Sequence, residues 1–229
     1  MTDSKHTRIA IYDLDRTITS LPTWTPYLLF AGWRLGPARL LLLPTVSLGA
    51  LARALGAIDR DQLKELMHSM LLGRAVPAKR LAAVSDAFAD WIVGHHLRDG
   101  ASAQIAVDRA EGRQIVIATA AHRFYAEPIA RRLGVADLLA TLAQRGPDGQ
   151  ILSRLDGLNC YGVAKHAMIS RWFSQTGLNR QTTHIRFYSD HASDQPTFEW
   201  VDEPVAVNPH APLRRLATER GWQIVDWRR

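Results

Sequence analysis

The length, composition and charge of this chain exclude several classes of protein. Its 229 residues are enough to bury a sizeable core, and 47% hydrophobic with 22% charged residues is ordinary for a soluble globular protein rather than a disordered one. The formal net charge of +6 comes from arginines spread along the whole chain, which does not indicate nucleic-acid binding. A single cysteine, Cys160, excludes an internal disulfide.

The amino-terminal segment Met1–Arg8 is polar and lacks the apolar core of a secretory signal. Together with the single cysteine, which suits a reducing compartment, this segment predicts a cytoplasmic protein.

Short apolar, β-branched runs alternate with helical patterns, which predicts a parallel sheet covered by helices. The predicted strands are Ile9–Tyr12, Gln114–Thr119, Leu138–Thr141, Ile185–Ser189, Val205–Val207 and Gln223–Val225. The predicted helices between them are His122–Leu133, Val163–Thr176 and Ala211–Arg220, and each is followed by a glycine suited to a left-handed carboxyl cap.

Residues 21–98 interrupt this alternation, because they show helical periodicity and no convincing strand. Pro77 opens a helix with an apolar stripe that includes Leu81 and Phe88. We therefore expect an α/β core formed by residues 1–20 and 99–229, with a helical cap formed by residues 21–98. Such a cap would close over the site, exclude water and select the substrate.

The cap region contains an uncharged stretch, Leu40–Ala52, between Arg39 and Arg53. A membrane-spanning helix needs about 20 apolar residues, so this stretch is too short to span. We expect a buried cap helix. The alternative is an interfacial segment that touches lipid headgroups.

Asp13 and Asp15 follow the apolar strand Ile9–Tyr12 directly. Side chains at i and i+2 of an extended segment share a face, and open α/β sheets bind ligands beyond the carboxyl ends of their strands. Two carboxylates this close repel each other unless a cation or a proton intervenes. The pair therefore predicts an active site.

Three further elements follow in the chain. Thr119 closes the strand that begins near Ile115 and precedes two alanines, Lys165 lies early in a helix, and Asp190 and Asp194 follow the strand that begins at Ile185. These residue types suit phosphoryl transfer: a carboxylate can attack phosphorus, Mg²⁺ prefers oxygen ligands, and backbone N–H groups at a helix start bind phosphate oxygens. A second carboxyl can act as general acid and then as general base.

The first motif, Asp13-Leu-Asp15-Arg-Thr17, with the segments Ala118–Ala130, Leu139–Thr141 and Asn159–Lys165 after a helical insertion, resembles the haloacid dehalogenase (HAD) superfamily. The similarity is greatest to subfamily IB, the phosphoserine phosphatase-like branch, and it covers residues 1–20 and about 99–210. The resemblance implies a Rossmann-like parallel sheet core with an inserted all-helical cap.

The resemblance also implies the roles of the site residues and a Mg²⁺-dependent phosphomonoester hydrolase that acts through an aspartyl-phosphate. Asp13 would be the nucleophile and Asp15 the acid/base. The remaining roles would be phosphate binding by Thr119, Ala120 and Lys165, Mg²⁺ binding by Asp13, the Asp15 carbonyl and Asp190, and support from Asp194 and Thr17.

One departure concerns the substrate. Phosphoserine phosphatases place a glutamate nine residues after the nucleophile to hold the substrate ammonium, and this chain has Pro22 there, so phosphoserine is not the expected substrate. Four side chains are candidates for substrate contact, each with an alternative: Arg16 could point to solvent, His122 and His191 could be structural, and Trp24 could belong to the cap core.

The sequence leaves two other functions open. One is a phosphatase acting on a lipid phosphate, such as a phosphatidylglycerophosphate-like molecule, with peripheral contact to the inner membrane. The other is a non-catalytic protein that binds a phosphorylated ligand or regulates a partner. No nucleic-acid partner is expected.

Overall fold

The computed structural model describes residues 7–227, which form one eight-stranded sheet flanked by helices. Most of the polar segment Met1–Arg8 lies outside the described residues. Within the described residues, the strands are β1 (Thr7–Tyr12), β2 (Ala75–Val76), β3 (Gln114–His122), β4 (Asp137–Arg145), β5 (Ile151–Asp156), β6 (Thr183–Ser189), β7 (Glu203–Val207) and β8 (Gln223–Val225). The α-helices are α1 (Trp24–Leu35), α2 (Leu43–Ala54), α3 (Arg60–Leu71), α4 (Ala78–His95), α5 (Asp99–Ala110), α6 (Arg123–Arg132), α7 (Val163–Gln175), α8 (Gln195–Phe198) and α9 (Ala211–Arg220).

The strand order is β2-β5-β4-β3-β1-β6-β7-β8, and the six strands from β4 to β8 in this order are parallel. β1 lies between β3 and β6, with Ile11 opposite Val116 on one side and Phe187 on the other. The predicted parallel sheet and its six strands are confirmed. Glycines 134, 177 and 221 have the predicted left-handed conformation after their helices.

Both faces of the central strand are buried, which explains its uninterrupted apolar sequence. Ile9 and Ile11 pack in one apolar cluster with Ile169 of α7, whereas Ala10 and Tyr12 pack in a second cluster on the opposite face. The second cluster extends into α1 and α4, so the insertion and the sheet share one hydrophobic core.

Two strands were not expected from the sequence. β4 continues to Arg145 and turns back into β5, which pairs with it antiparallel, and β2 adds to the outer edge of β5. The prediction that residues 21–98 contain no strand is therefore wrong at Ala75–Val76. Two residues carry no periodicity, and this strand exists because the edge of β5 offers unpaired backbone groups.

The stretch Leu40–Ala52 is not a buried helix, contrary to the favoured expectation. A 3₁₀ turn, Pro37–Leu42, leads into α2, where Val46 and Gly49 are buried and most of the leucines are exposed. Only one narrow side of α2 packs against α3: a Cβ on Gly49 would come within 2.7 Å of the Leu66 side chain. Among the described residues, no helix is long and apolar enough to cross a membrane.

Candidate active site

A tight turn after β1 presents the first pair of carboxylates. The Asp13 N–H donates to the Tyr188 carbonyl of β6 at 2.9 Å, which continues the sheet to the last residue before the turn. Arg16 has a left-handed backbone with φ of 60°, and the Thr19 N–H closes the turn on the Leu14 carbonyl at 2.9 Å. The turn exposes the Arg16 side chain and directs Asp13 and Asp15 into one cavity.

This cavity has a volume of about 200 Å³ and lies beyond the carboxyl ends of β1 and β6. It brings together most of the residues singled out in the sequence: Asp13, Asp15, Arg16, Ala120, Lys165, Asp190, His191 and Asp194. Pro22, Arg60, Tyr161 and Ser193 complete its wall. The four sequence elements thus converge, as the topology of parallel strands requires.

Lys165 is the electrostatic centre of the cavity. Its buried Nζ donates to Asp13 Oδ1 at 2.8 Å and to Asp194 Oδ2 at 2.6 Å, and Asp194 Oδ2 also accepts from Ser189 Oγ at 2.7 Å. Asp194 therefore positions the ammonium group against Asp13. Thr17 Oγ1 lies 3.5 Å from Asp13 Oδ2, on the other side of the same carboxylate.

Burial dominates the ionisation of these carboxyl groups. Burial raises the pKa of Asp13 to about 8, although Lys165 opposes the shift, and burial raises the pKa of Asp190 to about 6. For Lys165, burial lowers the pKa, but attraction to Asp13 and Asp194 outweighs it and the net shift is upward. Lys165 therefore stays protonated. Its single positive charge does not offset the cost of burying the carboxylates of Asp13 and Asp190.

Asp15 is held differently from Asp13. Its Oδ1 accepts two hydrogen bonds from Thr23 of the cap region, from the N–H at 2.9 Å and from Oγ1 at 2.6 Å. Burial raises the pKa of Asp15, and these two hydrogen bonds only partly oppose it. The carboxyl is oriented through one oxygen, which leaves Oδ2 to carry a proton.

The end of β3 forms the floor of the site. Thr119 is fully buried, and its Oγ1 accepts from the Ala121 N–H at 3.0 Å rather than lining the cavity. The Ala120 carbonyl accepts from Thr141 Oγ1 at 2.9 Å and from Lys64 Nζ. Ala120, rather than Thr119, therefore meets the cavity in this arrangement.

The donors around Asp13 fit a hard divalent cation. Asp13 and Asp190 supply two buried carboxylates in one cavity, and their mutual repulsion contributes to the raised pKa of Asp13. One or two carboxylates with a carbonyl and waters is the set that Mg²⁺ prefers. No group of three or more His, Cys, Asp or Glu side chains within residues 7–227 has metal-binding geometry.

A second cavity, of about 370 Å³, adjoins the first and shares Asp15, Pro22, Arg60 and Ala120 with it. Trp24 lies in its wall. His122 lines neither cavity: it is buried, packs 4.8 Å from the ring of Trp24, and its burial lowers its pKa well below the usual value. His191 lines the first cavity and stacks on His210 at 4.2 Å.

Lys64 of α3 was not singled out in the sequence as a site residue. Its buried Nζ donates to the Ala120 carbonyl and to Asn159 Oδ1, the latter at 3.1 Å, and it faces the second cavity. The one feature of the sequence that could have indicated Lys64 is the rarity of lysine, since only four of the 28 basic residues are lysines. Arg60, which lines both cavities, carried no comparable signal.

Comparison with known proteins places this fold and site in a family. Phosphoserine phosphatase SerB1 of Mycobacterium tuberculosis is 35% identical over 156 residues, which are 68% of this chain and 49% of that protein. The chain thus spans about half the length of these curated relatives.

Solved structures share the fold. A protein of unknown function from Bordetella pertussis Tohama I superposes with a TM-score of 0.85 at 29% identity, over 97% of this chain and 99% of that one. A phospho-aspartyl intermediate analogue of phosphoserine phosphatase superposes with a TM-score of 0.62 at 16% identity, over 96% and 93% of the two chains.

The family model for haloacid dehalogenase-like hydrolases matches residues 10–199, a span that includes every residue that lines the first cavity. The chain therefore belongs to the haloacid dehalogenase-like hydrolase family.

Proposed function

We propose that this protein hydrolyses phosphomonoesters with Asp13 as the nucleophile. The observation that carries the proposal is the Asp13 carboxylate, held by Lys165 at 2.8 Å in a cavity that also contains Asp15 and Asp190. An Asp13 oxygen would form a bond to phosphorus as the bond to the leaving oxygen breaks, and a water oxygen would then displace the carboxylate. The intermediate is an aspartyl-phosphate.

Asp15 is the proposed acid and base. Because burial raises its pKa, the carboxyl holds a proton more readily than an exposed aspartate does and can give it to the leaving oxygen. The resulting carboxylate then accepts a proton from the attacking water. The hydrogen bonds from Thr23 keep the group oriented through both steps.

The carboxylates of Asp13 and Asp190 and the Asp15 carbonyl would hold Mg²⁺. The ion would supply positive charge that offsets the repulsion between an anionic nucleophile and an anionic phosphate. Lys165 adds a second positive charge within contact of Asp13. Together, these groups let a negatively charged oxygen approach a phosphate.

The second cavity supports a leaving group that is both apolar and anionic. Its wall includes the apolar side chains Trp24, Leu63 and Met67 and the basic side chains Arg53, Arg60 and Lys64. Its only acidic lining residue within the described chain is Asp15, and Pro22 lies where an ammonium-binding glutamate would be needed. We therefore propose a small-molecule or lipid phosphate as substrate, with the apolar wall favouring the lipid class, and phosphoserine as a poor substrate.

The test is Mg²⁺-dependent turnover of p-nitrophenyl phosphate by the parent chain and by Asp13→Asn. The variant should lose at least about 1,000-fold in kcat with an unchanged circular dichroism spectrum, because the amide cannot act as the nucleophile. Asp90→Asn is the matched control, since Asp90 is exposed on α4. Near-normal turnover by Asp13→Asn would remove the nucleophile assignment. A parent that binds phosphate without turning over any phosphomonoester would favour the non-catalytic alternative.

A further inference from the structure

The outward surface of the cap carries large apolar side chains that no other part of the described structure covers. We define the cap leucine face as Trp33 of α1, Leu41 and Leu42 of the 3₁₀ turn, and Leu48, Leu51 and Leu55 at α2. Trp33 is 66% exposed, Leu41 82%, Leu48 64% and Leu55 77%. The elements are consecutive, and the turn packs against both α1 and α2.

The spacing of the leucines along α2 places them on the side of the helix that faces solvent. Leu48, Leu51 and Leu55 recur at three- and four-residue spacing and therefore share one side of the helix. Val46 and Gly49 lie on the opposite side, where the close approach to Leu66 anchors α2 against α3. The outer side of α2 is thus apolar, whereas the outer side of a surface helix is normally polar.

The cap leucine face differs from exposed apolar residues elsewhere in the molecule. Leu29 of α1 and Leu43 of α2 are also partly exposed beside the face, whereas the exposed large apolar residues of the core, Val107, Leu142, Leu158 and Val163, lie on α5, on β4, in the loop before α7 and on α7. Single exposed apolar residues are normal on protein surfaces, whereas a group of them in neighbouring elements marks a binding surface.

The charged residues within the segment that forms the face have one sign. Residues 16–58 contain no aspartate or glutamate and four arginines: Arg16, Arg34, Arg39 and Arg53. Arg34, Arg39 and Arg53 are exposed, and the Arg34 guanidinium lies 3.6 Å above the Phe30 ring, which holds it beside the apolar surface. The segment that carries the cap leucine face, residues 33–55, therefore has only positive charges, and the first acidic residue after it, Asp59, lines a surface cavity together with Arg53.

We propose that the cap leucine face docks on an anionic lipid bilayer, with its leucines and Trp33 in the headgroup region and the flanking arginines paired with lipid phosphates. An apolar helix face with a tryptophan and flanking arginines is the pattern of interfacial membrane binding. A second copy of the chain fits less well, because a two-fold interface would bring the two sets of arginines together. Docking does not depend on the proposed function, although Arg53 links the two because it also lines the second cavity.

The test is co-flotation of the full chain with phosphatidylcholine vesicles, with and without phosphatidylglycerol. The parent should bind the vesicles that contain phosphatidylglycerol, and high salt should weaken the binding because it screens the arginines. The double variant Leu48→Gln/Leu51→Gln should bind about tenfold more weakly, since two apolar side chains no longer leave water. Val107→Gln/Leu142→Gln removes two exposed apolar side chains of the core and is the matched control.

Three outcomes would overturn the proposal. They are no binding of the parent to phosphatidylglycerol, equal binding to phosphatidylcholine alone, and a concentration-dependent dimer in sedimentation equilibrium that the double variant loses. Turnover of p-nitrophenyl phosphate by the double variant reports its fold independently of lipid. A chain that floats with vesicles yet lacks turnover would refute the proposed function and leave the docking surface standing.

Discussion

Polar and apolar side chains are distributed in opposite ways at the first cavity and in the cap. At the sheet, Asp13, Lys165 and Asp194 are buried charges joined by hydrogen bonds of 2.6 to 2.8 Å. In the cap, leucines are exposed, and the imidazole of His68 is buried with no hydrogen-bond partner among the described residues.

The contrast indicates which part of the molecule depends on paired charges for its stability. Buried charges are tolerated only when they are paired, so the catalytic end should be sensitive to the loss of any partner. In the cap, the exposed leucines and the buried His68 imidazole contribute little to the free energy of folding. Changes there should alter pH dependence or binding more than they alter stability at neutral pH.

The largest expected effect comes from Lys165→Met. The change leaves the carboxylates of Asp13 and Asp194 without their shared ammonium, which should cost about 3–5 kcal/mol of unfolding free energy. Urea denaturation in the absence of divalent cations measures it. The control is Arg214→Met, which breaks the exposed pair with Asp226 and should cost less than about 1 kcal/mol. Equal losses of unfolding free energy in the two variants would contradict the expectation that the buried pair contributes more to stability than the exposed pair.

The next effect concerns His68, whose burial lowers its pKa to about 4. Between about pH 6.5 and pH 4 the unfolded chain binds a proton at this residue and the folded chain does not, so stability falls as the pH falls, by up to about 3 kcal/mol. His68→Leu should remove this contribution without a large loss near neutral pH, because neither ring nitrogen has a partner.

Urea midpoints at about pH 7.5 and about pH 4.5 measure the pH dependence. His95→Leu, on the exposed end of α4, retains His68 and should keep the slope of the parent. An unchanged slope in His68→Leu would show that the acid sensitivity arises elsewhere.

The smallest effect should come from Lys64→Met. Lys64 joins the cap to the Ala120 carbonyl and faces the second cavity, so its loss should lower kcat/KM for an anionic ester about tenfold. Burial lowers the pKa of Lys64 to about 8, although Asp15 and Asp61 oppose the shift. The charge is therefore present below about pH 8 and is lost above it, and the activity of the parent should decline there.

Lys64→Arg should retain activity at higher pH, because a guanidinium remains protonated. Lys79→Met, on the exposed start of α4, is the matched control. A parent and a Lys64→Met variant with the same pH profile would exclude a role for the ammonium in substrate binding.

The residues that line the first cavity could be predicted from the sequence because the topology of the sheet alone brings them together. Asp13, Asp190 and the end of β3 follow neighbouring parallel strands, so their convergence needs no knowledge of packing. Lys64 and Arg60 were missed because they belong to α3, whose position depends on how the cap packs on the core. No local pattern encodes that position.

The other errors have similar causes. β5 is a short antiparallel strand with exposed side chains, including Arg154 and Asp156, so it lacks the apolar signal of the buried strands. The uncharged stretch Leu40–Ala52 was expected to be buried because apolarity indicates burial. The absence of charged residues from this run does not indicate which of its sides packs against a neighbouring element, and in the structure only one narrow side does.

The pairing of β2 with β5 limits how the substrate can enter. Val76 lies opposite Ile151, the Ser153 N–H donates to the Arg74 carbonyl at 3.0 Å, and Glu65 accepts from the Leu155 N–H at 2.7 Å. Hydrogen bonds to the main chain of β5, one of them accepted by the Glu65 side chain, therefore join the cap to the edge of the sheet, and the cap cannot move away as a rigid lid without breaking them. Admission of a bulky ester would instead require movement of cap elements that lie away from this margin.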